Sequence, residues 1–353
     1  MVTATGTRFA TGGVGTAASV GTSGHPIAVG WGYRAAVTEH GDHGATGDAP
    51  AWFHDHLAVV PDEGHTTVEG ARVHWLRWGD PGRPPLVLVH GGAAHARWWA
   101  PLAPFLTDEW CVIAPELTGH GDSDWRDAYR TETWAAEVLA VAAAAAGAGT
   151  PPPVLVGHSL GATVVGTAAA LAGRDVRAAV LCDIGVRARD ERSRSGRHFQ
   201  NRRTYATRAE AVSRFKLIPR QACENTWMVR HIAETSVRPV GPGGADDPTR
   251  PDDGAVTGWA WKFDWRLFAR TWDRWFGDYL AEIDVPVAAI HGEKSRVVPA
   301  YIAQRVRDAL REPPFEVWVP EARHHLMADQ PVAFVTALRA ALTHTTGALR
   351  LLG

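Results

Sequence analysis

From residue 66 onward, short apolar runs alternate with longer segments of helical character. The apolar runs are 84–90, 110–117, 154–158, 176–183, 285–291 and 315–319. The helix-like segments between and after them are 98–106, 131–146, 160–171, 300–310 and 332–343. Continuous apolar strands that alternate with helices are typical of a mostly parallel sheet with helices on both faces. The pattern therefore predicts an α/β fold built on a doubly wound sheet.

Two regions lie outside this rhythm. Residues 1–58 are rich in Gly, Ala, Thr and His without a sustained period, so we expect a disordered extension, at least up to Pro50. Residues 186–272 begin with an Arg-rich stretch and continue with Trp-containing helical segments and a Gly/Pro/Asp loop. This segment predicts a helical lid inserted over the carboxyl ends of the strands. The core would then consist of residues 59–185 and 273–353.

A hairpin is predicted at the start of the core. Residues 66–69 and 71–78 have strand character and are separated by Gly70, which suits a tight turn.

Composition excludes several classes of partner. The net charge is −2, and 45% apolar with 21% charged residues is ordinary for a globular protein. No run approaches the roughly 20 apolar residues of a membrane span, and the N-terminus has no secretory pattern. Cys111, Cys182 and Cys223 are far apart and lack metal-ligand spacing, so we expect free thiols in a reducing, cytoplasmic compartment. We expect a small-molecule substrate and neither nucleic acid nor membrane; the oligomeric state stays open.

The strongest chemical signal is Gly157-His158-Ser159-Leu160-Gly161, which directly follows an apolar strand and precedes a helix. This strand–turn–helix context predicts a nucleophile elbow with Ser159 exposed at the sheet edge. The amide of Leu160 would lie at the helix N-terminus, where N–H groups are unpaired. The alternative is a glycine-rich turn with an idle serine.

With these residues, the chain from about residue 66 resembles the α/β-hydrolase fold superfamily. His90-Gly91-Gly92 and Gly119-His120-Gly121-Asp122-Ser123 match further motifs of that family. The resemblance implies that the amides of Gly92 and Leu160 form an oxyanion hole. Glu116 stands where the family usually has Asp, and we expect it to have a structural role.

The resemblance also implies a general base after the last strand. His324 and His325 are adjacent there, and the family register counted back from Pro331 favours His324, with His325 as the alternative. A serine hydroxyl needs such a base to become a nucleophile.

The acid that orients the histidine has two candidates. Ser295 stands at the usual Asp position, and Glu293 in the same loop is the alternative. Asp183 follows the preceding strand, and a subgroup of bacterial esterases in the family uses an acid there with Ser in the later loop. The resemblance therefore favours Asp183, which would stabilise the imidazolium.

The resulting hypothesis is an acyl-enzyme on Ser159 with water as the acceptor, that is, a carboxylic ester hydrolase without cofactor or metal. Abundant Trp predicts an apolar or aromatic substrate. Residues 187–220 contain ten Arg and one Lys but three acidic residues. This excess of positive charge indicates either a solvated surface or a site for a substrate anion. Open alternatives are a C–C bond (diketone) hydrolase, a thioesterase, a biosynthetic acyltransferase or cyclase, and a non-catalytic ligand receptor.

Overall fold

The computed structural model describes residues 49–186, 203–246, 255–267 and 274–347. Residues 1–48 of the predicted extension and residues 187–202 of the Arg-rich stretch lie outside these ranges. No helix within the described ranges is both long enough and apolar enough to cross a membrane.

An eight-stranded sheet lies at the centre of the fold. The strands of the described chain are β1 (Asp62–Val68), β2 (Ala71–Trp78), β3 (Pro85–Val89), β4 (Cys111–Pro115), β5 (Val154–His158), β6 (Ala178–Cys182), β7 (Val237–Val240), β8 (Gly258–Trp261), β9 (Val287–Gly292) and β10 (Phe315–Val319). The order in the large sheet is β1-β2-β4-β3-β5-β6-β9-β10. In this sheet β2 is antiparallel to both of its neighbours, β1 and β4, and every other pair of adjacent strands is parallel. The predicted mostly parallel sheet is confirmed, and so is the hairpin, in which Gly70 has φ +78°.

The α-helices of the described chain are α1 (Ala51–Leu57), α2 (Thr131–Ala145), α3 (Leu160–Ala172), α4 (Arg208–Ser213), α5 (Thr226–Thr235), α6 (Phe276–Leu280), α7 (Ala300–Ala309), α8 (Leu326–Asp329) and α9 (Pro331–Thr346). Buried residues of α2 and α3 pack in one apolar core, and those of α5 and α9 pack in another.

The strands are continuously apolar because they are buried on both faces. Along β3, Leu86 and Leu88 belong to one core, whereas Val87 and Val89 belong to the other. Successive side chains of a strand point to opposite faces, so a sheet covered on both sides requires apolar residues at every position.

The helix predicted over residues 98–106 is absent. Two short 3₁₀ turns, Ala96–Trp98 and Ala103–Leu106, occupy this connection. Pro101 and Pro104 explain the difference, because proline lacks an N–H and its ring clashes with the preceding helical turn.

The predicted extension ends earlier than residue 58. Helix α1 packs onto the core, where Phe53 is buried and its ring centroid lies 4.6 Å from that of Trp227. The predicted boundary at residue 58 is therefore wrong, because a packed helix precedes it. A seven-residue helix is too short to show a helical period in the sequence.

The insertion between β6 and β9 is not wholly helical. Its described part contains α4 and α5, but also the antiparallel pair β7–β8. Burial alternates along β8, with Gly258 and Ala260 inward and Trp259 and Trp261 half-exposed. A four-residue strand of this kind gives little signal against flanking glycines and tryptophans.

Candidate active site

Ser159 lies in a strained turn between β5 and α3. Its backbone has φ 53° and ψ −118°, a region that a residue with a side chain seldom adopts. The neighbouring glycines make the turn possible. A Cβ on Gly157 would lie 2.2 Å from the carbonyl oxygen of Gly161, and a Cβ on Gly161 would lie 2.4 Å from that of Val89. The sequence thus forms the predicted elbow and holds the serine at the carboxyl end of β5.

The structure brings His324 to this serine. Nε2 of His324 lies 3.1 Å from Oγ of Ser159. His325 points elsewhere, with its Nε2 3.2 Å from the carbonyl oxygen of Ile218. Of the two candidate histidines, the one favoured by the register is therefore the one beside the hydroxyl.

Asp183, at the carboxyl end of β6, lies behind the imidazole. Its Oδ2 is 2.7 Å from Nδ1 of His324, and the carboxylate is fully buried. Two further donors reach it: the amide of Gly292 at 3.0 Å and the hydroxyl of Ser295 at 2.6 Å. Ser295, which stands at the family's usual acid position, therefore donates a hydrogen bond to Asp183, the carboxylate that takes the place of that acid.

Glu293, the alternative acid, is exposed and does not reach His324. Its carboxylate accepts a hydrogen bond from the amide of Glu321 at 3.0 Å. Lys294 forms an ion pair with Glu321 rather than with Glu293.

His90 orients the peptide between Gly91 and Gly92. Its Nε2 accepts the Leu117 N–H at 3.1 Å, so the proton on Nδ1 is donated to the carbonyl oxygen of Gly91 at 2.8 Å. The Ala94 amide donates to the same oxygen at 3.2 Å. In a trans peptide the N–H points away from the carbonyl, so the Gly92 amide faces the opposite side.

The two candidate oxyanion donors are unpaired within the described chain. Neither the amide of Gly92 nor that of Leu160 donates to another described residue. Leu160 is the first residue of α3, where N–H groups have no intrahelical acceptor. Such amides favour a developing negative charge.

A narrow cavity of about 10 Å³ lies beside Ser159. Gly92, Trp98 and Ile218 contribute to its wall, together with the three histidines at positions 158, 324 and 325. Trp98 thus fits the expected aromatic wall. Trp261 does not line the cavity and packs on Phe215 instead.

His158 also contacts the site, although in the sequence it is only the variable position of the motif. Its Nε2 donates to the carbonyl oxygen of His324 at 2.8 Å and fixes that residue's backbone. Burial, together with the nearby His324, lowers the pKa of His158 to about 3, so the ring is neutral at pH 7.

The segment of the insertion before α5 holds the histidine loop. Gln221 accepts the His325 amide at 3.0 Å and donates to Asp329 at 2.9 Å. The side-chain amide of Asn225 donates to the carbonyl oxygens of Ala328 and Asp329, both at 2.9 Å. These contacts join residues about 100 positions apart, and no local pattern indicates them.

Glu116 has the structural surroundings expected of it. The buried carboxylate accepts hydrogen bonds from Nδ1 of His74 at 2.9 Å, from the amide of Ala96 at 3.1 Å and from the amide of Asp122 at 2.5 Å. It thereby joins β2 to the loops that follow β3 and β4.

The described basic residues between positions 187 and 220 do not line the cavity. They are exposed at positions Arg203, Arg208, Arg214, Lys216 and Arg220. For this part of the stretch, a solvated surface is the better interpretation, and the remaining arginines lie outside the described residues.

A mostly parallel sheet with a serine, a histidine and a buried carboxylate in series at its carboxyl edge defines the class of α/β-fold hydrolases. The sequence profile of the Alpha/beta hydrolase family matches residues 86–337, well over half of the 353-residue chain, and the chain belongs to this family.

Curated relatives match only a part of the chain. Lipase LipV of Mycobacterium tuberculosis is 38% identical over 114 residues, which cover 32% of this chain and 42% of the lipase. Pyrrolizixenacetamide deacetylase of Xenorhabdus hominickii is 40% identical over 114 residues, with the same coverage of 32% and 42%. The matches thus span less than half of these relatives.

Solved structures share the fold over most of the chain. The thioesterase domain from the curacin biosynthetic pathway has a TM-score of 0.62 at 20% identity and covers 79% of this chain and 99% of the domain. E-2-(acetamidomethylene)succinate hydrolase has a TM-score of 0.61 at 21% identity, covering 80% of this chain and 99% of the hydrolase.

Proposed function

We propose that the protein is a serine hydrolase that cleaves small carboxylic esters through an acyl-enzyme on Ser159. The observation that carries this proposal is the hydrogen-bonded series from Asp183 through His324 to Ser159, with distances of 2.7 Å and 3.1 Å. The amides of Gly92, in the turn after β3, and of Leu160, at the start of α3, have no acceptor among the described residues. Nucleophile, base, orienting acid and oxyanion donors are the groups that acyl transfer requires.

Acylation begins when Nε2 of His324 takes the proton of the Ser159 hydroxyl. The serine oxygen then bonds to the ester carbonyl carbon, and the carbonyl electron pair moves onto its oxygen. The amides of Gly92 and Leu160 stabilise this oxyanion. When the carbonyl re-forms, the bond to the alcohol oxygen breaks, and the proton on Nε2 passes to that oxygen.

Deacylation repeats these steps with water. His324 takes a proton from a water molecule whose oxygen attacks the acyl carbon, and returns it to Oγ of Ser159 as the acid leaves. The net reaction is one ester and one water giving one acid and one alcohol.

Asp183 controls the histidine. Because its carboxylate can only accept a hydrogen bond, it keeps the proton on Nδ1 of His324 and the lone pair on Nε2. The amide of Gly292 and the hydroxyl of Ser295 fix the carboxylate in this orientation. Its negative charge also stabilises the imidazolium that forms during each step.

The size of the cavity and the relatives support a short acyl substrate with water as acceptor. Pockets for drug-sized ligands usually measure about 300–1,000 Å³, whereas the cavity beside Ser159 measures only about 10 Å³. The relatives are named a lipase, a deacetylase and, at 37% identity over 101 residues, a pimeloyl-[acyl-carrier protein] methyl ester esterase of Methylococcus capsulatus. All three names describe enzymes that hydrolyse a bond to an acyl group.

The test combines active-site labelling with a substrate series. A fluorophosphonate should label Ser159, as shown by peptide mass spectrometry, and Ser159→Ala should prevent both labelling and turnover. Among 4-nitrophenyl esters from acetate to palmitate, kcat/KM should be highest for the short chains. Absence of the Ser159 adduct would disprove the nucleophile, and faster turnover of diketones or thioesters than of esters would replace the reaction assigned here.

A further inference from the structure

Three imidazoles surround the cavity beside Ser159. His158, His324 and His325 are all buried, and their ring centroids lie between 4.8 and 5.6 Å apart. One ring nitrogen from each lies within 4.8 Å of one from each of the others. The mechanism above uses only His324 as a base, and His325 has no part in it.

In each ring, one nitrogen faces an oxygen acceptor and therefore carries the proton. Nε2 of His158 donates to the His324 carbonyl at 2.8 Å, and Nε2 of His325 donates to the Ile218 carbonyl at 3.2 Å. Nδ1 of His324 donates to Asp183 at 2.7 Å.

The second nitrogen of each ring is therefore a bare lone pair. Nδ1 of His325 is buried without a hydrogen-bond partner among the described residues. Nδ1 of His158 accepts no hydrogen bond from the described residues, and Nε2 of His324 faces only the Ser159 hydroxyl at 3.1 Å. An imidazole nitrogen with a free lone pair is the form in which histidine binds a metal ion.

We propose that His158, His324 and His325 form a binding site for a divalent transition-metal ion, for which Zn²⁺ is the test ion, and that occupancy of this site inhibits the enzyme. Neutral imidazoles suit Zn²⁺, and three histidines leave its fourth position open for water or the serine oxygen. Metal-binding histidines also donate their other N–H to a carbonyl or carboxylate, as all three do here.

The rings must move inward to bind the ion. Zn–N bonds of about 2.0–2.1 Å in tetrahedral geometry place two ligand nitrogens about 3.4 Å apart, less than the 4.8 Å limit found here. Side-chain rotations close this difference. The buried carboxylate of Asp183 behind His324 offsets part of the charge of the cation.

Inhibition follows because the metal would bind the same Nε2 lone pair of His324 that catalysis requires. A bond from Zn²⁺ to Nε2 of His324 removes the lone pair that accepts the Ser159 proton. The inhibition therefore rests on the proposed function, but the binding does not.

Binding is tested in the full chain with Ser159→Ala, which removes any dependence on turnover. Calorimetric titration with Zn²⁺ should show one site that is weakened at least about tenfold by His325→Gln or by His158→Gln. Glutamine keeps an N–H for the Ile218 or His324 carbonyl, and a thermal melt of each variant checks its fold. His344→Gln, at an exposed histidine outside the site, is the matched control and should leave this affinity unchanged.

Zn²⁺ should also inhibit ester hydrolysis by the wild type, reversibly on addition of a chelator. His325→Gln should raise the inhibitory concentration about as much as it weakens binding. Unchanged Zn²⁺ affinity in both glutamine variants would overturn the metal site, even if the protein hydrolyses esters. Zn²⁺ binding that depends on these histidines in a protein without esterase activity would uphold the site and disprove the function.

Discussion

Ser159 combines a strained backbone with the central position in the site. Its φ of 53° and ψ of −118° are readily adopted only by glycine, and a side chain there carries a strain of about 1–3 kcal/mol. The hydroxyl has to be presented at this turn, so the strain persists because the surrounding glycines and strands hold it.

Replacing the serine should therefore separate stability from activity. Ser159→Ala and Ser159→Gly should both lose turnover. Ser159→Gly relieves the backbone strain but gains chain entropy in the unfolded state, so we expect it to be more stable than Ser159→Ala by a net amount of about 1 kcal/mol. That difference corresponds to a rise in melting temperature of about 2 °C. Calorimetric melts compare the two variants, and equal melting temperatures would show that the turn is not strained.

The three acceptor contacts of Asp183 predict graded effects on catalysis. Asp183→Asn should lower kcat roughly 10⁴-fold, as the analogous change does in a protease triad, because it favours the wrong histidine tautomer. Ser295→Ala removes one hydrogen bond to a charged group, about 1.5–3 kcal/mol, and should lower kcat by about tenfold or more.

Glu293→Gln is the control for both variants. Its side chain is exposed and, among the described residues, bonds to the Glu321 amide alone. We therefore expect kcat to change less than twofold, roughly the effect of an ordinary surface substitution. A large loss in Glu293→Gln with little loss in Asp183→Asn would move the acid to the other loop.

Among the elements, β2 and the loop after β4 are joined by His74 and Glu116. Burial opposes both charges, but their hydrogen bond and mutual attraction outweigh it. The pKa of His74 is raised and that of Glu116 is held well below its usual range. The contribution of His74 to stability is complete below its unfolded pKa of about 6.5 and is lost as the pH rises through its raised folded value. The contribution of Glu116 is present above about pH 4.5 and is lost as the pH falls.

Glu116→Gln should therefore destabilise the protein more at pH 5.5 than at pH 9. At the lower pH the wild type gains from charged His74, whereas the variant lacks the main partner that raises the pKa of His74. Denaturant unfolding at the two pH values measures this difference. The exposed variant Glu293→Gln should follow the wild-type pH profile, and a pH-independent effect of Glu116→Gln would show that His74 is neutral in the folded protein.

The insertion and the histidine loop are coupled through Asn225. Asn225→Ala removes a hydrogen bond from two carbonyls, of which that of Ala328 keeps the weaker thiol of Cys223 as a donor at 3.4 Å. The change should destabilise the protein by about 1–3 kcal/mol and lower kcat several-fold through a looser His324. Unfolding and steady-state kinetics test both effects, with the exposed Gln304→Ala as control. Lower stability at unchanged kcat would show that the loop keeps its position without the insertion.

How far the sequence predicts these elements depends on the range of the interactions. The parallel strands are evident because burial on both faces makes them continuously apolar. Ser159 and its turn follow from a motif within five residues, and the histidine and acid follow from the family's order of elements. The roles of His158, Ser295 and Gln221 are invisible in the sequence, because each contact joins residues more than 100 positions apart.

At the scale of the whole molecule, two truncations test which N-terminal residues contribute to the stability of the core. Removal of residues 1–48 should leave the melting temperature nearly unchanged, since their sequence lacks an apolar period. Removal of residues 1–58 also deletes buried Phe53, whose loss alone should destabilise the protein by about 3–5 kcal/mol. Melts of both truncated proteins give the comparison, and a large drop for the shorter truncation would show that the first residues dock.

The order of the site residues along the chain has a consequence for engineering. Ser159 and Asp183 end neighbouring strands before the insertion, and His324 follows the last strand after it. A chain divided inside the insertion would yield two fragments, one with the nucleophile and the acid and the other with the base. Neither fragment alone holds a complete site, so recovered hydrolysis would report that the halves had met, which makes this fold a candidate split reporter.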